Sequence, residues 1–324
     1  MVLPLGRQYE RDGQVMDEVL HPPPGDFVEA EGNRYHVRRM GDAGPAVIFE
    51  AGIGATSISW TLVDHRVAQF ARVYNYDRAG YGWSPANARP KVARDLMEQM
   101  RAVMNAAGAP LPRILVGHSF GGMMMRLYAA AHPEEVAGIV MVDALSPDEW
   151  FPLDFRRTLM LRRGVQLSKR GSWLAQRGIV RYALTKLEKG DSKWPRMFSL
   201  LGGASGAGVQ KRIAHQIQKL PVEQWGPVRA HWSRPTSFDT LAEHLAELPA
   251  SCAQARLVQD LGDLPLIVLA AEVGTPPGHL GRQAALAKLS QRGDFRQIPG
   301  ATHWLMLDAP DAVVEAVREI AQNV

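Results

Sequence analysis

The chain has 324 residues, enough for one large domain or for a core carrying an inserted cap. Its 46% hydrophobic and 22% charged content is that of an ordinary globular protein. The one cysteine, Cys252, excludes an internal disulfide and argues against cysteine-based metal sites. The net charge of +4 is unevenly spread: residues 147–262 hold 18 Lys/Arg against 10 Asp/Glu, and the remainder holds 19 against 23. This basic excess could draw in anionic substrates or an acidic membrane surface, although a solvated helical surface is the simpler reading. No nucleic-acid-binding motif accompanies it. Residues 7–12 are polar too early for a signal peptide, and no apolar run approaches the ~18 residues of a membrane span. The expectation is a cytoplasmic protein without stable membrane insertion.

In chain order, residues 1–25 form an N-terminal extension. Phe27–Ala30 and Arg34–Arg38 flank Glu31-Gly32-Asn33 as a hairpin. Ala46–Glu50 reads as a buried strand, Thr61–Ala71 as a helix, Val73–Asp77 as the next strand and Lys91–Ala107 as a helix. The strand Arg113–Val116 leads into Gly117-His118-Ser119-Phe120-Gly121, and a helical run through Ala131 follows. Val136–Val142 is another buried strand, ending at Asp143. Alternation of this kind calls for a mainly parallel sheet covered on both faces. It stops across residues 147–262, which carry helix-like stretches such as Gln210–Leu220 and Thr240–Leu248 and five of the eight tryptophans. It resumes with the strand Pro265–Ala271, a helix over Gly281–Leu289, the strand Phe295–Ile298 and a last helix over Pro310–Ala321. The core is thus expected at 26–146 and 263–324, with a helical cap at 147–262 inserted after the sixth strand.

The Gly117–Gly121 stretch matches G-x-S-x-G between a strand and a helix. A sharp turn there lifts the Ser119 hydroxyl out of the sheet, and the flanking glycines let the backbone approach closely. Ser119 also sits at a helix N-terminus, where free N–H groups favour developing negative charge. A serine hydroxyl is a poor nucleophile without a base in reach and an acid to orient that base. His303, between the final strand and the final helix, stands at the sheet edge from which Ser119 emerges. His118 points away from the hydroxyl on the same turn and reads as structural.

These pieces resemble the α/β-hydrolase superfamily. The resemblance is carried by Gly117–Gly122, Asp77-Arg78-Ala79-Gly80-Tyr81-Gly82-Trp83-Ser84, Glu50-Ala51-Gly52-Ile53-Gly54 and Gly300-Ala301-Thr302-His303, and it covers about residues 25–145 and 263–324. It implies the α/β-hydrolase fold, serine-dependent acyl chemistry and the order serine, acid, histidine. Many members carry an aspartate a few residues beyond the strand read here as Leu266–Ala271, but this loop has none. Asp143 and Glu272 remain as acids. Asp143 is the first choice, because some relatives place the acid there, and Glu272 is the alternative. Asp308 reads as the start of the last helix. The resemblance places the oxyanion donors at the N–H groups of Phe120 and Ile53. The Asp77–Ser84 loop reads as a brace for that segment.

Aromatic side chains of the insertion, including Trp150, Phe151, Phe155, Trp173, Trp194, Phe198, Trp225, Trp232 and Phe238, suit an apolar pocket. Trp150, Phe151 and Trp304 are the first choices because they lie within a few residues of Asp143 or His303. Met123–Met125 read as packing. The expected activity is hydrolysis of small or medium apolar carboxylic esters through an acyl-enzyme, with no metal or organic cofactor. A carbon–carbon bond hydrolase with the same triad, and a slow-turnover binding or signalling protein of the same fold, are the alternatives. In this fold, haloalkane dehalogenases and epoxide hydrolases usually rest on an aspartate nucleophile instead.

Overall fold

In a computed structural model of the chain, residues 6–188 and 218–323 are described. Trp194, Phe198 and most of the helix expected at Gln210–Leu220 lie outside them. The chain opens with α1 (Arg7–Leu20) and the hairpin β1 (Asp26–Ala30) and β2 (Asn33–Met40). Strand β3 (Ala46–Glu50), the short α2 (Asp64–Val67), β4 (Arg72–Tyr76) and α3 (Ala93–Ala106) follow. Next come β5 (Arg113–His118), α4 (Phe120–Ala131) and β6 (Val136–Val142). The inserted segment contributes α5 (Phe155–Ala175), α6 (Ile179–Glu188), α7 (Trp225–Ser233) and α8 (Pro235–Arg256). The core resumes with β7 (Leu266–Ala271), α9 (His279–Ala287), β8 (Gly293–Ile298), α10 (Leu305–Asp308) and α11 (Pro310–Ala321).

The strands form one eight-stranded sheet in the order β1-β2-β4-β3-β5-β6-β7-β8. Only the pairings of β2 with β1 and β4 are antiparallel. The central strands are apolar throughout because both faces are covered. Successive residues feed opposite cores: Ile48, Leu115, Ile139, Met141 and Val268 enter the layer with α3, α4 and α9. Val47, Phe49, Val116, Val140 and Leu269 enter the layer with α2 and α11. Met123–Met125 are buried in the first layer, beside the buried Cys252. No helix among the described residues is long and apolar enough to cross a membrane.

Two elements differ from the sequence-based expectation. The helix expected at Thr61–Ala71 shrinks to a 3-10 turn at Ser57–Trp60 and the four-residue α2. Trp60, Val63, Asp64 and Val67 are fully buried, with Trp60 against Phe49 at 4.9 Å and Asp64 holding Asn75 and Arg38. Burial on several sides does not suit one amphipathic helix face. In the cap, α8 runs past Pro249 to Arg256. Its far end reaches the core, where Ser251 Oγ and Gln254 Oε1 accept from the backbone N–H groups of Ala93 and Arg94 at 3.0 Å. Those donors belong to the first turn of α3 and have no partner within that helix.

The N-terminal extension is a helix docked on α6 and α7 of the inserted segment. Arg181 of α6 grips Glu10 with two bonds of 2.9 Å and Asp17 with one of 2.5 Å. Arg229 of α7 adds contacts to Asp17 and Glu188. Arg181, Glu10 and Asp17 are almost fully buried, so removing the guanidinium leaves the Glu10 carboxylate without a cation and Asp17 with Arg229 alone, at a cost of about 3–5 kcal/mol. Arg181→Met is expected to release α1, so that limited proteolysis cuts within residues 7–25 while the remaining chain stays resistant. Equal protease resistance of the variant and wild type would show that the clamp does not hold α1.

Candidate active site

Ser119 occupies a strained turn. Its φ of 53° and ψ of −118° are unusual for a non-glycine residue, and the strain is held by the β5-to-α4 connection. The neighbouring glycines are needed for space. A side chain at Gly121 would enter the backbone of Glu50, and one at Gly117 would enter the first turn of α4. A Cβ at Gly52 would lie 3.2 Å from the Ser119 Cβ, so the loop after β3 presses directly on the serine.

The strand ends assemble the other groups. Asp143, just beyond β6, also has a positive φ, 44°. Its Oδ2 accepts from His303 Nδ1 at 2.6 Å. Its Oδ1 accepts from the Ala271 N–H at 2.8 Å and from His279 Nε2 at 2.7 Å. Burial alone would raise this carboxyl, but the bonds from His279 and His303 outweigh it and hold it well below the usual carboxylate range. The proton of His303 is thereby placed on Nδ1, which leaves Nε2 as a base. Glu272 does not reach His303. It is exposed and accepts from Gln297 and from the Gly300 N–H, bracing the loop that carries the histidine.

His279 had no signal in the sequence, since it lies 136 residues from Asp143 at the start of α9. It is almost fully buried, whereas the His303 side chain is half exposed. A cleft of about 170 Å³ beside them is lined by Asp143, Leu145, Glu149, Thr275, His279 and His303.

His118 ties the two catalytic-type loops together. Its Nε2–H donates to the His303 carbonyl at 2.8 Å, and its ring lies 4.7 Å from the His303 ring. Asp308 ends the short helix α10 rather than starting α11. Its carboxylate accepts from the Thr302 N–H at 2.8 Å and from Thr302 Oγ1 at 2.5 Å, and it pairs with Lys219 of the inserted segment.

Arg78 braces the segment after β3. Its guanidinium donates to the carbonyls of Ala51 and Gly52 and pairs with Glu50 at 3.1 Å. Glu50 also accepts from Tyr76 at 2.5 Å. Asp77 takes the Ser57 and Trp83 N–H groups. The N–H groups of Phe120 and Ile53 donate to no protein acceptor among the described residues.

The aromatic candidates divide. The Trp304 ring lies tilted against His118, with centroids 5.7 Å apart. Trp150 is partly buried against the α3–α4 core. Phe151 lies at the surface with Arg256 over its ring at 5.8 Å. Trp232 from the cap packs on Gly54, where a Cβ would lie 3.3 Å from its ring. It thus meets the segment after β3, whereas Trp150 packs on the α3–α4 core and Phe151 lies at the surface. His132, Glu134 and Glu135 could converge on a metal ion, but Glu135 is held by Arg101 and Tyr128, and His132 by Glu98.

The chain belongs to the alpha/beta hydrolase family, whose model matches residues 47–316. The protein YqjL of Bacillus subtilis is 28% identical over 114 residues, 35% of this chain and 45% of YqjL. This chain spans less than half the length of such curated relatives. Among solved structures, a candidate epoxide hydrolase from Pseudomonas aeruginosa superposes with a TM-score of 0.65 at 20% identity, covering 93% of this chain and 98% of that one. The enol-lactonase from Burkholderia xenovorans LB400 gives 0.62 at 15% identity, covering 92% and 100%. At these identities the superpositions establish the fold.

Three buried histidines, His118, His231 and His244, are expected to make the fold acid-sensitive. Burial, with His303 second, holds His118 down to about 3. Burial likewise holds His231 down to about 4 and His244 well below its usual value of 6.5. Below about pH 6.5 the unfolded chain protonates these rings while the folded chain does not, so unfolding takes up protons. Stability is expected to fall as pH drops from about 6.5 towards 4.5, by up to about 1.4 kcal/mol per pH unit for each ring. Urea midpoints across this range test it. They should decline for the wild type and less steeply for His118→Asn, and a flat profile would contradict the assignment.

Proposed function

We propose that the chain is a serine hydrolase of carboxylic esters, with Ser119 as nucleophile, His303 as base and Asp143 as acid. The observation that carries this reading is the 2.6 Å bond from His303 Nδ1 to a buried carboxylate at the same sheet edge as the strained Ser119 turn. Ser119 attacks the carbonyl carbon and His303 Nε2 takes its proton. Asp143 stabilises the imidazolium. The oxyanion accepts from the N–H groups of Phe120 and Ile53, which the Arg78–Glu50 brace holds in place. His303 returns the proton to the leaving alcohol, and water then cleaves the acyl-enzyme by the reverse sequence.

A hydrolase agrees with the family, and a serine at this turn favours esters or lactones over epoxides and alkyl halides. The likeness to an enol-lactonase is consistent with that choice. Trp232, against Gly54, supports a preference for apolar acyl or alcohol groups. Hydrolysis of p-nitrophenyl esters of graded chain length tests the reading. Ser119→Ala should lose about 10⁶-fold in kcat and Asp143→Asn about 10⁴-fold, whereas Glu272→Gln should stay near wild type. Wild-type inactivity on every ester would refute esterase activity, and full activity of Asp143→Asn would remove Asp143 as the acid.

His279 acts through Asp143 as a positioning residue. Its loss removes a hydrogen bond to a charged group, about 1.5–3 kcal/mol. His279→Leu is therefore expected to lower kcat by roughly 10-fold or more with KM little changed. His279→Gln, which can still donate, should recover part of the loss. A change confined to KM would instead mark His279 as a substrate contact.

A further inference from the structure

We infer that the outer face of cap helix α5 docks on an anionic lipid bilayer. This helix of 21 residues contains six cationic side chains and no acidic one. Arg156, Arg162, Arg163, Lys169 and Arg170 are exposed, and none of them is in an ion pair among the described residues. Arg157, the sixth, faces Asp154. Unpaired cations without interspersed acids set this helix apart from a solvated surface of mixed sign.

The same face carries large apolar groups in water. Phe155 is 82% exposed, Trp173 53%, and Leu159, Met160 and Leu167 are also exposed. At 100° per residue, Phe155, Leu159 and Trp173 fall on one line about 27 Å long. Arg156, Arg163 and Arg170 recur every seven residues along one flank of this line, and Arg162 and Lys169 along the other. Leu161, Ser168, Ser172 and Ala175 form the opposite, buried face, which rests on the rest of the protein. Arg177 stacks on the Trp173 ring at 3.6 Å, adding a cation beside the apolar line.

An apolar stripe between two rows of cations matches the boundary between headgroups and acyl chains. The rings and aliphatic groups enter the boundary while the guanidinium and ammonium groups meet lipid phosphates and carboxylates. A nucleic acid would satisfy the charges but leave Phe155, Leu159 and Trp173 in water. The surface is peripheral and needs no spanning helix. It is also separate from the serine site, so the docking and the ester chemistry stand or fall independently.

Co-sedimentation of the full chain with vesicles tests the inference. Vesicles of phosphatidylcholine and phosphatidylserine should capture it, vesicles of phosphatidylcholine alone should capture it poorly, and high salt should release it. Each cation is worth about five-fold in partition, so Arg163→Glu with Arg170→Glu should lower binding by about 25-fold or more. Phe155→Ser with Trp173→Ser should also weaken it. The structure exposes all of these positions, Phe155 and Trp173 among them, which removes those two from the aromatics expected to line a pocket, so circular dichroism, thermal unfolding and hydrolysis of a short p-nitrophenyl ester should match wild type. Absence of phosphatidylserine-dependent capture, or capture unchanged in either double variant, overturns the proposal. Retention on heparin without capture by vesicles overturns it as well.

Discussion

The carboxylate of Asp143 is the point on which the site's geometry depends. It accepts from three donors on three separate elements: Ala271 at the end of β7, His279 at the start of α9 and His303 on the loop after β8. A buried carboxylate is tolerable only when its oxygens are satisfied, and here the partners are the groups that must be held in register. The charge thus draws two histidines and a strand end together. Its positive φ at the sheet edge is a local cost that the surrounding contacts sustain.

A second buried charge does comparable work on the other side of the serine. Arg78 lies among Glu50 and the carbonyls of Ala51 and Gly52, with the rings of Tyr81 and Phe120 within 6 Å. Tying the carbonyl oxygens of this segment to one guanidinium sets the direction of its peptide planes. Electrostatic stabilisation of an oxyanion depends on donors oriented before the reaction. A rigid, charge-locked loop next to Ser119 therefore suits the proposed chemistry better than a mobile one.

The inserted segment is fastened at both ends by polar contacts and not only by apolar burial. At one end α8 caps the first turn of α3 with Ser251 and Gln254. At the other, α1 lies across α6 and α7 through the Arg181 cluster. Between these anchors Trp232 reaches Gly54 beside the serine. The inner side of the cap thus meets the proposed acyl site, while α5 turns its cationic and apolar face outward.

Local chemistry made much of this legible from the residues alone. Continuous apolar runs marked β3, β5, β6 and β7, because strands covered on both faces have no polar side. Glycine spacing marked the Ser119 turn, because only glycine fits between it and the loop after β3. Asp143 and Glu272 could not be separated in this way, since the decision rests on which carboxylate the fold carries to His303. The sequence by itself determined the sheet and the glycine-flanked turn at Ser119, since each depends on neighbours a few residues apart. Only the tertiary structure decided that Asp143 meets His303, that His279 shares the carboxylate, that Trp232 covers Gly54 and that α1 clamps the cap. Those contacts join residues roughly 130 or more positions apart, and packing and burial of charge, not local propensity, bring them together.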